Sequence, residues 1–294
     1  MIMLKLFVTA VLLTTAITVS AQVKSFQFDG VKRKYLLYLP ASYQSNPNHS
    51  YPLVFNFHGG GMSIAEQMLY TRMNEAADKH NFIVVYPSGI KQDWNVGFEM
   101  SYQKGTNDVG FVKAILDSLK QAYRIDEKAI FATGLSRGGF FCHRLAAEMP
   151  DDFAAIASIG GPLPDSVKYY HQGDKKVSVM HVHGTADEVV KYDGKTNAYA
   201  SASDTYSYWA IRNGLATKKE NKYVFNSDKK DSTSVTIQEV SDKKNTVSLV
   251  TVINGGHTWP GGIAYNIGYP LGNTTRDIDI NEIMWRFFSK NRKH

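Results

Sequence analysis

The sequence predicts an α/β fold with a mostly parallel central sheet flanked by helices. Short apolar segments rich in Val, Ile and Phe alternate along the chain with segments of helical periodicity, which is typical of a parallel sheet covered on its faces. In residues 109–122, apolar side chains recur every three or four positions. One face of that helix can therefore pack against a sheet.

The alternating period of strands and the helical period locate the individual elements. Strands are predicted at residues 35–39, 53–57, 82–86, 129–133, 154–159, 177–183 and 247–253. Helices are predicted at residues 65–79, 109–122, 138–148, 204–213 and 281–288. The polar, lysine-rich segment 217–244 contains an alternating stretch at 235–240, which favours a peripheral hairpin.

The first residues indicate export. Lys5 precedes an apolar run at 6–19, and the run closes on Val19-Ser20-Ala21, a small-residue pattern typical of a signal peptide cleaved after Ala21. A retained membrane anchor is the alternative, but it needs about 20 apolar residues and this run is shorter and interrupted by threonines. We expect residues 1–21 to be removed and the mature protein to be secreted or periplasmic, with no membrane attachment.

Residues 22–294 are expected to form a single domain, because this length suits one α/β core and contains no repeat or linker. Cys142 is the only cysteine, so no internal disulfide can form. The formal net charge is +6, and the lysines lie in polar stretches without interleaved aromatic residues. This pattern argues against a nucleic-acid partner.

A nucleophile motif follows the strand predicted at 129–133. Gly134-Leu135-Ser136-Arg137-Gly138 fits the pattern G-x-S-x-G, in which glycines permit a sharp turn from strand to helix and leave the serine hydroxyl exposed. A helix is predicted directly after it, as the motif requires. The alternative is a serine that serves only a structural turn, which would not require a strand directly before it and a helix directly after it. The motif predicts the α/β-hydrolase fold with Ser136 as nucleophile.

A serine nucleophile needs a base and a group that orients the base. In this fold the acid follows the serine in sequence and the histidine comes last. Asp187 and His257 follow the last two long predicted strands, so both are expected at the sheet edge where Ser136 emerges. Glu188 is the competing acid, and we favour Asp187 because the chain turns apolar directly after Glu188.

The remaining histidines have simpler interpretations. His181 and His183 share a strand face and could be imagined with Asp187 and His257 as metal ligands, but their spacing is unlike that of known zinc sites. We therefore expect no metal and no cofactor. His143 is interpreted as a packing or capping residue of the helix after Ser136.

A glycine-rich loop, His58-Gly59-Gly60-Gly61, follows the strand predicted at 53–57. Backbone amides in such a loop can donate to the oxyanion of a tetrahedral intermediate, and the residue after the nucleophile supplies a second amide. We nominate the N–H groups of Gly60 and Arg137, with Gly61 as the alternative to Gly60.

Eight short segments together match the pattern of a known family: residues 35–40, 58–61, 84–87, 108–111, 134–139, 153–157, 183–187 and 257–261. On these segments the chain resembles the secreted esterase group that includes polyhydroxybutyrate depolymerases and the feruloyl and acetylxylan esterases of carbohydrate esterase family 1. The resemblance extends over residues 33–288 and implies the same triad. One departure is Leu215, which stands where related sequences often have a cysteine after Asn-Gly.

The resemblance favours an ester substrate carrying a hydroxycinnamoyl or acetyl group on plant cell-wall polysaccharide, with hydroxyalkanoate oligomers as the alternative. Trp94 and Trp259 are candidate platforms for an aromatic acyl group or a sugar face, although each could equally be a core residue. A serine peptidase or a non-catalytic binding protein of the same fold is less well supported. The sequence makes no prediction of oligomeric state.

Overall fold

A sheet of ten strands runs through the part of the chain that the computed structural model describes, residues 21–263 and 271–293. The strands lie in the order β1-β2-β4-β3-β5-β6-β7-β10-β9-β8. The six central strands are mutually parallel, and antiparallel pairs extend the sheet at both ends. The strands are β1 (Ala21–Phe28), β2 (Val31–Tyr38), β3 (Tyr51–Phe57), β4 (Ile83–Pro87), β5 (Ile125–Leu135), β6 (Ala155–Ile159), β7 (Ser178–Gly184), β8 (Asn221–Phe225), β9 (Ser234–Ser241) and β10 (Thr246–Ile253).

Helices cover both faces of this sheet. One face carries α3, α4, α5 and α6, and the other carries α1, α2 and α7. The helices are α1 (Ile64–Thr71), α2 (Met73–His80), α3 (Asp108–Ala122), α4 (Arg137–Glu148), α5 (Asp165–Tyr170), α6 (Ala202–Arg212) and α7 (Ile280–Lys290).

The central strands bury apolar side chains on both faces, as expected of a parallel sheet between two helical layers. In β3, Leu53, Phe55 and Phe57 join the core beneath α3 and α4, whereas Val54 joins the core beneath α1 and α7. This alternation follows from the two-residue period of a strand.

The topology brings three chain segments to one edge of the sheet. Ser136 directly follows β5, Asp187 follows β7 by three residues, and His257 follows β10 by four. Since β5, β6, β7 and β10 are parallel neighbours, their carboxyl ends lie at the same edge. Ligands of open α/β sheets bind outside these carboxyl ends.

The prediction of a mostly parallel sheet with flanking helices is confirmed, and each predicted strand is present. The hairpin predicted within 217–244 corresponds to the antiparallel pair of β8 and β9 at the sheet edge. The single helix predicted at 65–79 was wrong, because Arg72 adopts the left-handed conformation (φ 50°) and separates α1 from α2. The sequence reading also missed β1 and α5, which are partly exposed and short, respectively.

The apolar run predicted to be a signal peptide lies outside the described residues. The predicted cleavage point follows Ala21, the first residue of β1, which pairs with Tyr38 of β2. Within residues 21–263 and 271–293, no helix combines the length and the apolar character needed to cross a bilayer.

A buried ion pair fastens the loop between β4 and α3. The guanidinium of Arg33 lies 2.8 Å from Asp108 Oδ1, and both side chains are almost fully buried. The other carboxylate oxygen, Oδ2, accepts hydrogen bonds from the Asn95 amide and the Thr106 hydroxyl. Asp108 therefore joins β2 to the loop that precedes α3.

Replacing Asp108 by Asn should lower the free energy of unfolding by about 3–5 kcal/mol, because it leaves the Arg33 charge buried without a counter-charge. Urea denaturation at neutral pH measures this change. The matched control is Asp117→Asn, which breaks the half-exposed Lys113–Asp117 pair on α3 and should cost less than about 0.5 kcal/mol. An equal loss in the two variants would contradict the argument.

Candidate active site

Ser136 occupies a strained turn between β5 and α4. Its backbone has φ 54° and ψ −119°, a conformation that residues other than glycine rarely adopt. The flanking glycines are required by close packing, since a Cβ at Gly134 would lie 2.8 Å from the Phe57 carbonyl oxygen and one at Gly138 only 2.3 Å from it. The Ser136 N–H donates to the Ile159 carbonyl at 2.8 Å. The side chain is left partly exposed at the end of the strand.

Asp187 and His257, 70 residues apart in sequence, are hydrogen-bonded to each other. His257 Nδ1 lies 2.6 Å from Asp187 Oδ2. The other oxygen, Oδ1, accepts the N–H groups of Val189 and Val190 at 2.9 and 2.8 Å. Burial alone would raise the pKa of Asp187, but hydrogen bonds from His183 and His257 outweigh it and hold the pKa far below its usual range. The carboxylate is therefore ionised and oriented toward His257.

The competing acid, Glu188, points away from this pair. Its side chain is 80% exposed and forms an ion pair with Lys191. The carboxylate of Asp187, in contrast, is completely buried. Of the two acids, Asp187 is therefore the one within hydrogen-bonding distance of His257.

Ser136 and His257 border the same short segment at the end of β6. A Cβ at Gly160 would lie 3.1 Å from both Cε1 and Nδ1 of His257, and one at Gly161 would lie 2.4 Å from the Ser136 carbonyl oxygen. Between the described residues, no hydrogen bond joins the Ser136 hydroxyl to the imidazole. Catalytic bonds of this kind commonly form only when substrate is bound.

Two backbone N–H groups near Ser136 have no hydrogen-bond acceptor in the described part of the chain. The Arg137 N–H is the first of α4, and the leading amides of a helix have no intrahelical acceptor. The Gly60 N–H also lacks an acceptor among the described residues, whereas Gly61 donates to the Gln92 carbonyl at 2.9 Å. A Cβ at Gly60 would lie 3.7 Å from Arg137 Cβ, so the two amides are neighbours. Gly60 thus fits an oxyanion donor better than Gly61.

His58 and Trp94 hold the glycine loop in place. His58 Nδ1 donates to the Gly59 carbonyl at 2.8 Å, and His58 Nε2 accepts the Gly89 N–H at 2.9 Å. This pattern requires a neutral ring, and burial lowers the pKa of His58 to about 4. The indole N–H of Trp94 donates to the His58 carbonyl at 2.9 Å. The loop is therefore fixed by two side chains behind it.

The nomination of Trp94 and Trp259 as substrate platforms needs correction. Each side chain is only 1% exposed, and each indole N–H has a partner inside the protein, His58 for Trp94 and Asn281 for Trp259. Trp94 also stacks on Phe141 with ring centroids 5.1 Å apart. A ring buried in this way cannot offer its face to a substrate, so both residues belong to the core.

The sequence reading did not foresee a role for the Arg137 side chain. Its guanidinium forms ion pairs with Asp93, at 3.0 Å, and with Glu99, and it lies 4.7 Å from the ring centroid of Phe98. Arg137 thus anchors the loop before α3 to the elbow. The sequence feature that could have indicated this role is the pair of acidic residues, Asp93 and Glu99, in the loop before α3. Among residues 21–263 and 271–293, no group of three or more His, Cys, Asp or Glu side chains is placed to hold a metal ion.

A family model described as "Putative esterase" matches residues 28–260. The chain belongs to this esterase family. The protein "Putative esterase NocK" of Nocardia uniformis subsp. tsuyamanensis is 30% identical over 245 residues, which cover 77% of this chain and 71% of that protein. These matches confirm the prediction that the chain is a carboxylic ester hydrolase.

Other relatives of the esterase are matched over a smaller share of their length. Feruloyl esterase C of Emericella nidulans is 29% identical over 176 residues, covering 55% of this chain and 57% of that protein. The bifunctional acetylxylan esterase/xylanase XynS20E of Neocallimastix patriciarum is 31% identical over 163 residues, 55% of this chain and 22% of that protein. The solved acetyl xylan esterase from Aspergillus awamori shares the fold, with TM-score 0.65, 14% identity, and coverage of 92% of this chain and 99% of that one.

Trp94→Phe should slow the hydrolysis of different esters by a similar factor of about ten, which corresponds to about 1.4 kcal/mol. The reason is that the His58 carbonyl loses its buried donor and the glycine loop loses its support. Steady-state kinetics on an acetyl and an aromatic ester measure this effect. Trp285→Phe, at a ring that stacks on Phe82 away from the site, is the control. A defect confined to the aromatic ester would support a substrate platform instead.

The free energy of unfolding should decrease as the pH falls from about 6.5 to 4. Burial lowers the pKa of His58 to about 4 and that of His143 to about 3, whereas an unfolded histidine titrates near pH 6.5. The unfolded chain therefore binds protons that the folded chain rejects, so the stability present above pH 6.5 is lost on acidification. Urea denaturation at several pH values measures the slope. His143→Asn should reduce the slope, and exposed His49→Gln should not.

Proposed function

We propose that this esterase cleaves carboxylic esters through an acyl-enzyme, with Ser136 as nucleophile, His257 as general base and Asp187 as the acid that orients His257. The observation that supports this proposal is the 2.6 Å hydrogen bond between Asp187 Oδ2 and His257 Nδ1, at the same sheet edge as a serine held in a strained elbow. Because Nδ1 is bound to the carboxylate, Nε2 is the nitrogen left to accept the serine proton.

In the first step, Ser136 Oγ attacks the ester carbonyl carbon while its proton moves to His257 Nε2. The carbonyl oxygen becomes an oxyanion that accepts hydrogen bonds from the Gly60 and Arg137 amides, and each such donor contributes about 3 kcal/mol to lowering the barrier. The intermediate then collapses, the bond to the alcohol oxygen breaks, and His257 returns the proton to the leaving alcohol.

In the second step, water attacks the acyl-enzyme carbonyl with His257 again as base. The bond to Ser136 Oγ breaks, the serine regains its proton and the carboxylic acid leaves. Water is the only co-reactant in this sequence, so the proposal requires no cofactor.

The proposed substrate class is a hydroxycinnamoyl or acetyl ester on plant cell-wall polysaccharide. Its support is the pair of relatives named feruloyl esterase C and acetylxylan esterase/xylanase. The export signal at residues 1–21 and the single domain of residues 22–294 belong to the same proposal, since a polysaccharide substrate is met outside the cytoplasm.

Ser136→Ala should reduce the turnover of a small aryl ester by about a million-fold, because the triad acts as a unit and loses its nucleophile. An aryl phosphonate that forms a covalent adduct with activated serines should label Ser136 in the wild-type protein and leave the variant unlabelled. Ser289→Ala, which removes an exposed hydroxyl of α7, is the matched control. Activity of Ser136→Ala close to that of the wild type would refute the assignment.

A parallel assay on methyl ferulate, acetylated xylan and hydroxybutyrate oligomers tests the substrate class. We expect kcat/KM on the ferulate or the xylan to exceed that on the oligomers by about tenfold or more, which requires a difference of about 1.4 kcal/mol in transition-state binding. Preference for the hydroxybutyrate oligomers, or equal rates on all three, would contradict the proposed class.

A further inference from the structure

A row of buried histidines extends from α4 to the acid of the site. His143 lies on α4, and His181 and His183 project from the same face of β7. All three are at most 1% exposed. Burying imidazoles costs free energy unless they are hydrogen-bonded, and apolar side chains would fill the same space without that cost. The contacts of the row therefore need an explanation beyond packing.

His183 contacts the carboxylate of Asp187 directly. Its Nε2 atom lies 2.8 Å from the Val190 carbonyl oxygen and 3.4 Å from Asp187 Oδ2. Both oxygens are acceptors only, so Nε2 carries the proton. It donates that proton to the Val190 carbonyl, and the carboxylate oxygen is the more distant electrostatic neighbour. The hydrogen bond to Val190 fixes the turn that follows Asp187, and the same turn supplies the two backbone N–H groups bound to Asp187 Oδ1.

His181 determines which nitrogen of His183 carries the proton. Its Nε2 atom lies 3.2 Å from His183 Nδ1. In a neutral His183 that donates through Nε2, Nδ1 is an acceptor, so His181 Nε2 must be the donor. Burial, with His183 and His143 beside it, holds the pKa of His181 well below its usual range, so its ring is neutral. Behind it, His143 Nδ1 accepts the indole N–H of Trp209 at 3.0 Å.

Two uncharged polar residues, Tyr192 and Thr251, also lie beside His183. The Tyr192 ring centroid lies 5.5 Å from that of His183, and the Tyr192 hydroxyl lies 3.1 Å from Thr251 Oγ1 on β10. Thr251 is the register partner of His183 in the parallel pair of β7 and β10. Of the side chains described around His183, Asp187 is the charged one.

We propose that His183 is a positioning residue of the esterase site, which holds the Asp187 carboxylate and its turn in the orientation that aligns His257. The proposal rests on the proposed function, because it assigns to His183 a part in the same triad. Asp187 Oδ2 accepts the N–H of His257 at 2.6 Å, and the His183 N–H lies near the same oxygen, with Nε2 3.4 Å away. His181 serves as the support that keeps the His183 tautomer fixed.

Loss of the His183 N–H would have two effects. The turn at 187–190 would lose its anchor to β7, so fewer molecules would hold His257 in line and kcat would fall. In addition, the His183 N–H would no longer offset part of the negative charge of Asp187. The carboxylate would then stabilise the protonated form of His257 more strongly. Because kcat/KM requires a neutral His257, its acid limb would move to higher pH.

The experiment compares His183→Phe and His183→Asn with His183→Gln. Phe removes both nitrogens. Asn retains an acceptor for His181 near the Nδ1 position but has no group near Nε2. The Asn variant supplies the same comparison if the Phe variant folds poorly. Gln can place an amide N–H near the Nε2 position. The readouts are kcat and KM on an aryl acetate, the pH profile of kcat/KM, and the fraction of sites labelled by an aryl phosphonate.

We expect His183→Phe and His183→Asn to lose about tenfold in kcat per labelled site, the size expected for the loss of one buried hydrogen bond. KM should stay within about twofold, and the acid limb should move to higher pH. His183→Gln should recover most of kcat and a wild-type acid limb. Such rescue by a single N–H would not occur if the ring acted only by filling space.

Two results would overturn the proposal while leaving the proposed function intact. One is an unchanged pH profile and per-site kcat in both His183→Phe and His183→Asn. The other is a loss of activity that is fully explained by a lower labelled fraction. If the wild-type protein neither hydrolyses the aryl acetate nor reacts with the phosphonate at Ser136, the proposed function itself fails, and the role of His183 fails with it.

Discussion

The close contact between the elbow at Ser136 and the end of β3 constrains the whole site. Gly134 and Gly138 pass within van der Waals contact of the Phe57 backbone, so that neither position has room for a Cβ. The turn holds Ser136 at φ 54°, and a residue in such a region typically costs about 1–3 kcal/mol. Packing of α4 against β3 and β5 compensates this cost. The result is a serine that projects from the sheet edge, directly followed by an amide that has no acceptor within residues 21–263 and 271–293.

The supporting residues are mostly neutral and buried, and they act through hydrogen bonds rather than through charge. His58 and Trp94 hold the glycine loop from behind, and His183 holds the turn after Asp187 in a comparable way. The charge at the centre is the buried carboxylate of Asp187, which is hydrogen-bonded to His257 at 2.6 Å. A site built in this way keeps its geometry because the surrounding core cannot shift without breaking several buried hydrogen bonds.

Much of the fold could be read from the sequence because buried strands and amphipathic helices have distinct periods. The seven predicted strands are present, since they are the apolar, doubly buried strands of the parallel core and its immediate neighbour β2. The elements that were missed or merged depend on other forces. β1 is partly exposed and forms by pairing with β2, and the division between α1 and α2 is made by the left-handed backbone of one arginine, which no period reveals.

By itself, the sequence determined the α/β class, and it predicted a serine, an acid and a histidine in that chain order together with a glycine loop, because each has a local signature of spacing or residue type. Only the tertiary structure decided which glycine amide has no acceptor among the described residues, that Trp94 and Trp259 face the core, and that Arg137 and His183 support the site. These properties depend on contacts between segments distant in sequence. A side chain's burial and hydrogen-bond partners are set by the surrounding fold, and no local pattern records them.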